Sequence, residues 1–231
     1  MRRLILLAIS DIHDRVKQIS RVTSEIDSLG IRVDAVIVAG DLTYFKGVET
    51  AKRILVELKE ALRPKYVFFV PGNCDDPATL NISKIDHGIV NIHRNTAQIE
   101  IYVLYGVGGG GISPFNTLIE FSEEELRESI NRIIEVHGDT ANTIIVTHQP
   151  IYGFFDDVDG LNIGSKAFRE FLDKHQPLLW ITGHVHENSG YTVSGKTTII
   201  HPGPLMRGHY ALVKLDDKTP RVLEVNVYKL K

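Results

Sequence analysis

Five short apolar runs, Leu4 to Ile9, Ala35 to Ala39, Tyr66 to Val70, Thr143 to Val146 and Leu178 to Ile181, each break off into a polar string. In order, the strings are Asp11-Ile12-His13, Gly40-Asp41, Gly72-Asn73-Cys74-Asp75, Thr147-His148 and Gly183-His184-Val185-His186. The runs are short and rich in β-branched and aromatic residues, which predicts buried strands. Laid side by side in one sheet, they would bring their C-terminal ends to one crevice, where open α/β sheets place ligands. The scattered polar residues would then converge.

Helical patterns separate the runs. Val16, Ile19, Val22, Ile26 and Leu29 recur at three- and four-residue spacing up to Gly30, a helix-terminating glycine. Val48, Ile54, Leu55, Leu58 and Leu62 form a second stripe that Pro64 stops, and a fourth runs from Ser165 to His175 before Pro177. The third lies between them, where Ser122 and Glu125 form a capping box ahead of Leu126, Ile130, Ile133 and Ile134. Alternating strands and helices indicate an α/β fold. The last forty or so residues instead alternate apolar and polar positions over 190–200, 210–215 and 222–228, as β-hairpins completing the core would.

With 43% hydrophobic and 24% charged residues, the 231-residue chain can build one sizeable core, and no linker or repeat divides it, so a single domain over 1–231 is expected. Acidic residues outnumber basic ones 29 to 26, so no overall positive field draws in nucleic acid or an anionic membrane, while a local basic groove stays open. Cys74 is the only cysteine, so no internal disulfide forms. The Met1-Arg2-Arg3 start resembles a secretory signal, but its apolar stretch is short and lacks a small-residue cleavage site. No run approaches a membrane span, and a cytoplasmic location is expected.

An aspartate after a strand is commonly a helix cap, so a ligand role requires that another residue take that duty. Asp14 precedes the first stripe and can serve as its N-cap, leaving Asp11 and His13 unassigned. Asp76-Pro77 makes another helix start, leaving Asn73 and Asp75 unassigned. In extended backbone, residues two apart point the same way, roughly 6.6 Å apart. Asp11 with His13, and His184 with His186, could therefore each send two ligands into one metal site, or one ligand to each of two metals about 3.5–4 Å apart. Taken together, the strings read as a two-metal hydrolytic site.

The ordered set resembles the calcineurin-like metallophosphoesterase family, whose signature runs Asp-x-His, Gly-Asp, Gly-Asn-His-Asp/Glu, a His after a strand, and Gly-His-x-His. The segment Gly108 to Glu124 also looks like a predicted archaeal and bacterial phosphoesterase branch of that family. The resemblance implies an α/β fold of two mixed β-sheets packed as a sandwich flanked by helices, in four layers. It also implies that Asp11, His13 and His186 bind one metal, that Asn73, His148 and His184 bind a second, and that Asp41 bridges them. This donor set suits Mn²⁺, the first expectation, or Fe, Zn²⁺, Ni²⁺ or Co²⁺, better than Ca²⁺.

The implied reaction is attack of a metal-bridging hydroxide on phosphorus in a small phosphodiester, or less readily a phosphomonoester. Asn73, Cys74 and Asp75 form the implied catalytic string, with the Asn73 amide as a donor to the phosphoryl group. Cys74 is a departure, because the family's usual histidine there is thought to protonate the leaving group, and a thiol is a weak donor. This hints at diesters whose leaving groups need less help. A second departure is His201-Pro202-Gly203, where relatives commonly have Asn; His201, if not an exposed turn residue, or His209 could supply the missing acid.

Other signals carry less. Gly106 to Gly111 contains the dinucleotide-binding glycine pattern, but Pro114 and Phe115-Asn116-Thr117 argue for a loop where a helix should follow. His87, His93, His137 and His175 read as surface or packing residues. Asp156 to Gly160 lacks the glutamate that closes a calcium loop and reads as an acidic loop beside the site. Two alternatives to the hydrolase stand: a non-catalytic interaction scaffold on the same fold, which predicts eroded ligands, and a nuclease, which predicts a basic face or a capping domain. All seven ligand positions hold a competent residue type.

Overall fold

The computed structural model describes residues 3–82, 85 and 87–231, so Met1 and Arg2 of the signal-like start lie outside it. In chain order, the first half contains β1 (Arg3–Ile9), α1 (Lys17–Ser28), β2 (Ala35–Ala39), α2 (Val48–Leu62), β3 (Tyr66–Val70), β4 (Ile89–Asn91), β5 (Thr96–Ile99) and β6 (Tyr102–Val107). It continues with β7 (Gly110–Gly111), β8 (Glu120–Phe121), α3 (Glu123–His137), β9 (Thr143–Thr147), β10 (Asp157–Val158), β11 (Leu161–Asn162), α4 (Lys166–His175) and β12 (Leu179–Ile181). Last come β13 (Gly190–Ser194), β14 (Thr197–His201), β15 (His209–Asp216) and β16 (Val222–Lys229).

Two six-stranded sheets result, ordered β16-β15-β1-β2-β3-β4 and β13-β14-β12-β9-β6-β5. The single sheet drawn from the five runs is therefore corrected: β1, β2 and β3 share one sheet, while β9 and β12 lie in the other. The two mixed sheets implied by the family resemblance are what forms. Side-chain alternation explains why. Leu4, Leu6 and Ala8 of β1 and Ile144 and Val146 of β9 meet in one core between the sheets. The intervening Leu7 and Ile9 pack with α1 and α2 residues such as Val22 and Leu55, and Ile145 and Trp180 pack with Ile130 and Phe168 of α3 and α4. Strands apolar on both faces bury both, so helices must cover each outer side. The late hairpins finish both sheets, β13–β14 on one and β15–β16 on the other.

Helix ends follow the sequence signals with one exception. The Ser122 and Glu125 capping box, the Ser165 cap, and Asp76 capping a short 3₁₀ turn at Pro77–Asn81 are all formed. Asp14, however, does not cap α1, whose N-cap is Val16 without a side-chain bond. Asp14 instead turns toward the next loop, where its Oδ2 accepts from the Tyr44 N–H at 3.2 Å and lies 3.6 Å from Lys46 Nζ.

His93 is a packing residue, as its lack of ligand spacing suggests. Its Nδ1 accepts from the Gly108 N–H at 2.9 Å, and burial, with a smaller contribution from Arg94, pulls its pKa from 6.5 to about 4. The unfolded chain therefore binds a proton below pH 6.5 that the folded chain refuses. Its contribution is full above that pH and is lost as pH falls toward about 4, an effect of up to about 3 kcal/mol. Urea midpoints measured at intervals from pH 7.5 to pH 4 should decline less for His93→Gln than for the wild type.

Candidate metal centre

All the polar strings lie at one end of the sandwich, because β1, β2 and β3 run parallel, as do β6, β9 and β12. The loops after β1 and β2 are stitched together, with the Asp11 N–H bonded to the Gly40 carbonyl at 3.1 Å and the Ile12 N–H to the Asp41 carbonyl at 2.8 Å. Extended spacing is not what joins Asp11 and His13. Asp11, His13, Asp41 and His184 have φ of 53°, 44°, 51° and 79°, so left-handed turns aim these side chains. Such conformations cost energy and persist where surrounding structure enforces them.

The donors fall into two overlapping groups. In the first, His13 Nε2 and His186 Nε2 are 3.2 Å apart, and Asp11 Oδ1 is 3.2 Å from His186 Nε2. In the second, His148 Nε2 lies 2.8 Å from Asn73 Oδ1 and 3.2 Å from His184 Nδ1. Asp41 Oδ2 stands between them, 3.4 Å from His13 Nε2 and 3.5 Å from His148 Nε2. His184 and His186 thus go one to each group, the second of the two options their spacing allowed. Three glycines make this proximity possible, Gly72 among them, where a Cβ would collide with Asp41 Oδ1. A Cβ on Gly40 would enter the His148 ring, and one on Gly183 would lie 2.7 Å from the Ala39 carbonyl and 2.8 Å from Ser10 Cβ.

Electrostatics favour positive charge here. His148 Nδ1 lies 2.8 Å from the Ala39 carbonyl, to which it donates, so its Nε2 faces inward. Burial pulls His148 down, but the charge and hydrogen bond of Asp41, with the Asp11 charge and the Ala39 carbonyl, together outweigh it and hold the group up to about 9. Burial opposes ionisation of Asp11 and Asp41 too, yet the His186 hydrogen bond for the one and the His148 charge for the other keep both below their ordinary value. Burial, then the charge of His148, brings His184 down to about 4. Carboxylates and imidazoles crowd together, and among the described residues no lysine or arginine joins them, a donor set that fits divalent cations. Asp11, Asp41 and His148 bring their donor atoms within 4.8 Å of one another, as do Asp11, His13 and His186.

The third string divides by role. Asn73 contributes its side-chain oxygen, and its carbonyl accepts from the Leu118 and Ile119 N–H groups at 2.9 and 3.1 Å, tying it to the 112–119 loop. Cys74 has its sulfur within 4.8 Å of donor atoms of His13 and Asp41, and its N–H donates to Asp41 Oδ1 at 2.9 Å. Burial, reinforced by Asp41, pushes the Cys74 thiol far above its ordinary pKa. Asp75 ties the loops together: its carboxylate accepts from the Gly72, Leu42 and Thr43 N–H groups and the Thr43 hydroxyl at 2.8–3.1 Å. Burial and the Asp41 charge raise Asp75 to about 7.

His201 is buried, not an exposed turn residue; its Nδ1 accepts from the Gly203 N–H at 3.0 Å, and burial pulls it to about 4. A neutral imidazole is a poor acid near neutral pH, which weighs against His201 as the missing proton donor. The acidic 156–160 segment forms the small β10–β11 hairpin, with Asp156 accepting from Asn162 and Gly164 and holding no calcium-loop geometry. The glycine-rich segment leads into β7, not a helix. Four residues at the mouth of the site had no sequence signal: Arg15, Tyr44, Lys46 and Arg207 lie near the strings but share no spacing rule with them.

The family profile described as calcineurin-like phosphoesterase matches residues 4–188. The chain belongs to the calcineurin-like phosphoesterase family. It is 30% identical over 206 residues to the uncharacterized protein MJ1162 of Methanocaldococcus jannaschii, covering 86% of this chain and 88% of that one. Its fold is also similar to TT1561 of Thermus thermophilus, with a TM-score of 0.72, 18% identity and complete coverage of both chains. The fold extends to GAP50, described as the anchor in the inner membrane complex of Plasmodium, with a TM-score of 0.61, 14% identity and coverage of 100% of this chain and 90% of that one.

Proposed function

We propose that this phosphoesterase-family protein is a two-metal phosphodiesterase. The observation that carries the proposal is the position of Asp41 between the two donor groups, 3.4 and 3.5 Å from a histidine of each. Asp11, His13 and His186 would hold one cation, Asn73, His148 and His184 the other, and Asp41 both. Bound there, divalent cations, Mn²⁺ first among them, would make water nucleophilic near neutral pH and offset charge on the phosphoryl oxygens. The chain's own part is positional. The Ala39 carbonyl fixes the tautomer of His148, the Cys74 N–H orients Asp41, and the Asn73 amide provides a donor beside the phosphoryl group.

The preference for diesters comes from Cys74. A buried neutral thiol is a weak hydrogen-bond donor, so it gives little help to a poor leaving group. The anchor-like relative shows that this fold also serves other roles, but its low identity speaks only of fold. The complete donor set here supports catalysis over a scaffold. After reconstitution with Mn²⁺, Co²⁺, Ni²⁺, Zn²⁺ or Fe²⁺, turnover of bis(4-nitrophenyl) phosphate should exceed that of 4-nitrophenyl phosphate. Equal or reversed rates would remove the diester preference, and no turnover with any of the metals would remove the hydrolase reading.

A further inference from the structure

Resting on the phosphodiesterase reading, we infer that the substrate is a short nucleotide-type phosphodiester carrying a second phosphate, held in a basic groove that leads away from His13 and His186. A cavity of about 490 Å³ is lined by these two histidines with Asp14, Arg15, Tyr44, Lys46 and Met206. Beside it, sharing Asp14, Arg15 and Met206, lies a second space of about 710 Å³ that adds Lys17, Arg21 and Arg207. Five cationic side chains thus border the two spaces, against the one carboxylate of Asp14, which lies 3.6 Å from Lys46 Nζ. In a chain of net charge −3, this is a local reversal of sign.

The placement of these groups gives each a use. Arg207 is oriented by a 3.0 Å hydrogen bond from its guanidinium to the His186 carbonyl, which leaves its other N–H groups for an anion beside a candidate ligand. Arg15 is exposed, two residues beyond His13, and Lys46 is reached from the same opening. Tyr44 is 61% exposed, yet it is braced edge-on by His13 at 5.5 Å and by Phe45 at 4.8 Å between ring centroids. A braced, solvent-facing ring is a stacking platform for a base, worth about 1–3 kcal/mol. A reacting phosphate at the donor groups thus places a neighbouring phosphate among Arg15, Lys46 and Arg207 and a base on Tyr44. The overall negative charge disfavours a long polyanion, so a short substrate fits better.

The test compares the 4-nitrophenyl esters of thymidine 5′-phosphate and thymidine 3′-phosphate with the same molecules carrying a second phosphate on the other hydroxyl, following release of 4-nitrophenolate with bis(4-nitrophenyl) phosphate alongside, so that the leaving group is the same throughout. At low salt, one doubly phosphorylated form should exceed its singly phosphorylated counterpart in kcat/KM by about tenfold, the worth of about 1.4 kcal/mol of charge-assisted contact. That ratio should fall toward one in Arg15→Gln/Lys46→Gln and in the wild type as salt rises. Tyr44→Ala should lower kcat/KM for all the thymidine esters by about tenfold, chiefly through KM. A wild-type ratio near one, or one unmoved by the double substitution, overturns the inference, as does turnover of bis(4-nitrophenyl) phosphate with no thymidine ester cleaved. Failure of every diester with every metal instead overturns the phosphodiesterase reading on which it rests.

Discussion

Asp41→Asn is expected to reduce both metal retention and turnover by well over the roughly 100-fold that loss of an outer-sphere partner costs a metal site. The substitution is nearly isosteric and keeps an oxygen for the Cys74 N–H, so the loops should hold. What goes is the one charge shared by the two donor groups, 3.4 and 3.5 Å from His13 and His148. Without it, both groups lose the carboxylate that would neutralise a cation held there. A readout independent of activity is the stabilisation produced by added metal, about 2.7 kcal/mol at one hundred times Kd for a single site. Mn²⁺ should raise the thermal midpoint of the wild type and barely move that of the variant. Equal stabilisation of both, or undiminished turnover, would remove Asp41 from the bridging role.

The framework is legible in the sequence because the strand runs are apolar on both faces and end in polar strings. Helix ends are equally readable where a side chain does the capping, as at Ser122, Ser165 and Asp76. Asp14 escapes such reading because its side chain is taken by Tyr44 and Lys46, a contact between separate loops that no local rule contains. The same limit hides the division of strands between two sheets. Alternation tells which residues are buried but not which of two identical apolar faces meets the other sheet. Convergence of the donors follows from the order of the strings, whereas their aim does not follow from extended spacing. Positive φ at Asp11, His13, Asp41 and His184 aims the side chains, and although Asp and His adopt it more readily than most residues, residue type alone does not mark which positions do.

The mouth of the site shows where residue identity stops being informative. Arg15, Tyr44, Lys46 and Arg207 are ordinary surface residues in sequence, and Arg207 lies far along the chain from the others. They become a set because the 3₁₀ turn at Leu205–Arg207 bonds back to the loop after β1, with the Met206 N–H on the Asp11 carbonyl at 3.0 Å. On the proposed reading the donors would set the reaction class, while Arg207 of this later segment would join Arg15 and Lys46 of the earlier loops in selecting the substrate. Metal binding and selectivity should therefore respond to different substitutions.

Asp75→Ala is expected to cost about 3 to 5 kcal/mol of stability, because it strands several buried donors at once. Asp75 is fully buried, and its two oxygens receive the Gly72, Leu42 and Thr43 N–H groups and the Thr43 hydroxyl. Those donors belong to the loops after β2 and β3, which present Asp41 and Asn73. Loss of the carboxylate should therefore loosen both candidate sites together. Asp75→Asn keeps one acceptor oxygen but turns an NH₂ toward the remaining donors, so a smaller loss is expected. Urea unfolding at pH 8, with metal content measured on the same samples, separates this positioning role from a chemical one. If Asp75 acts by holding the loops, lost turnover should track lost stability and metal, and the pH–rate profile of Asp75→Asn should keep its shape. Collapse of kcat in a variant that remains stable and fully loaded would instead place the Asp75 carboxylate in the chemistry.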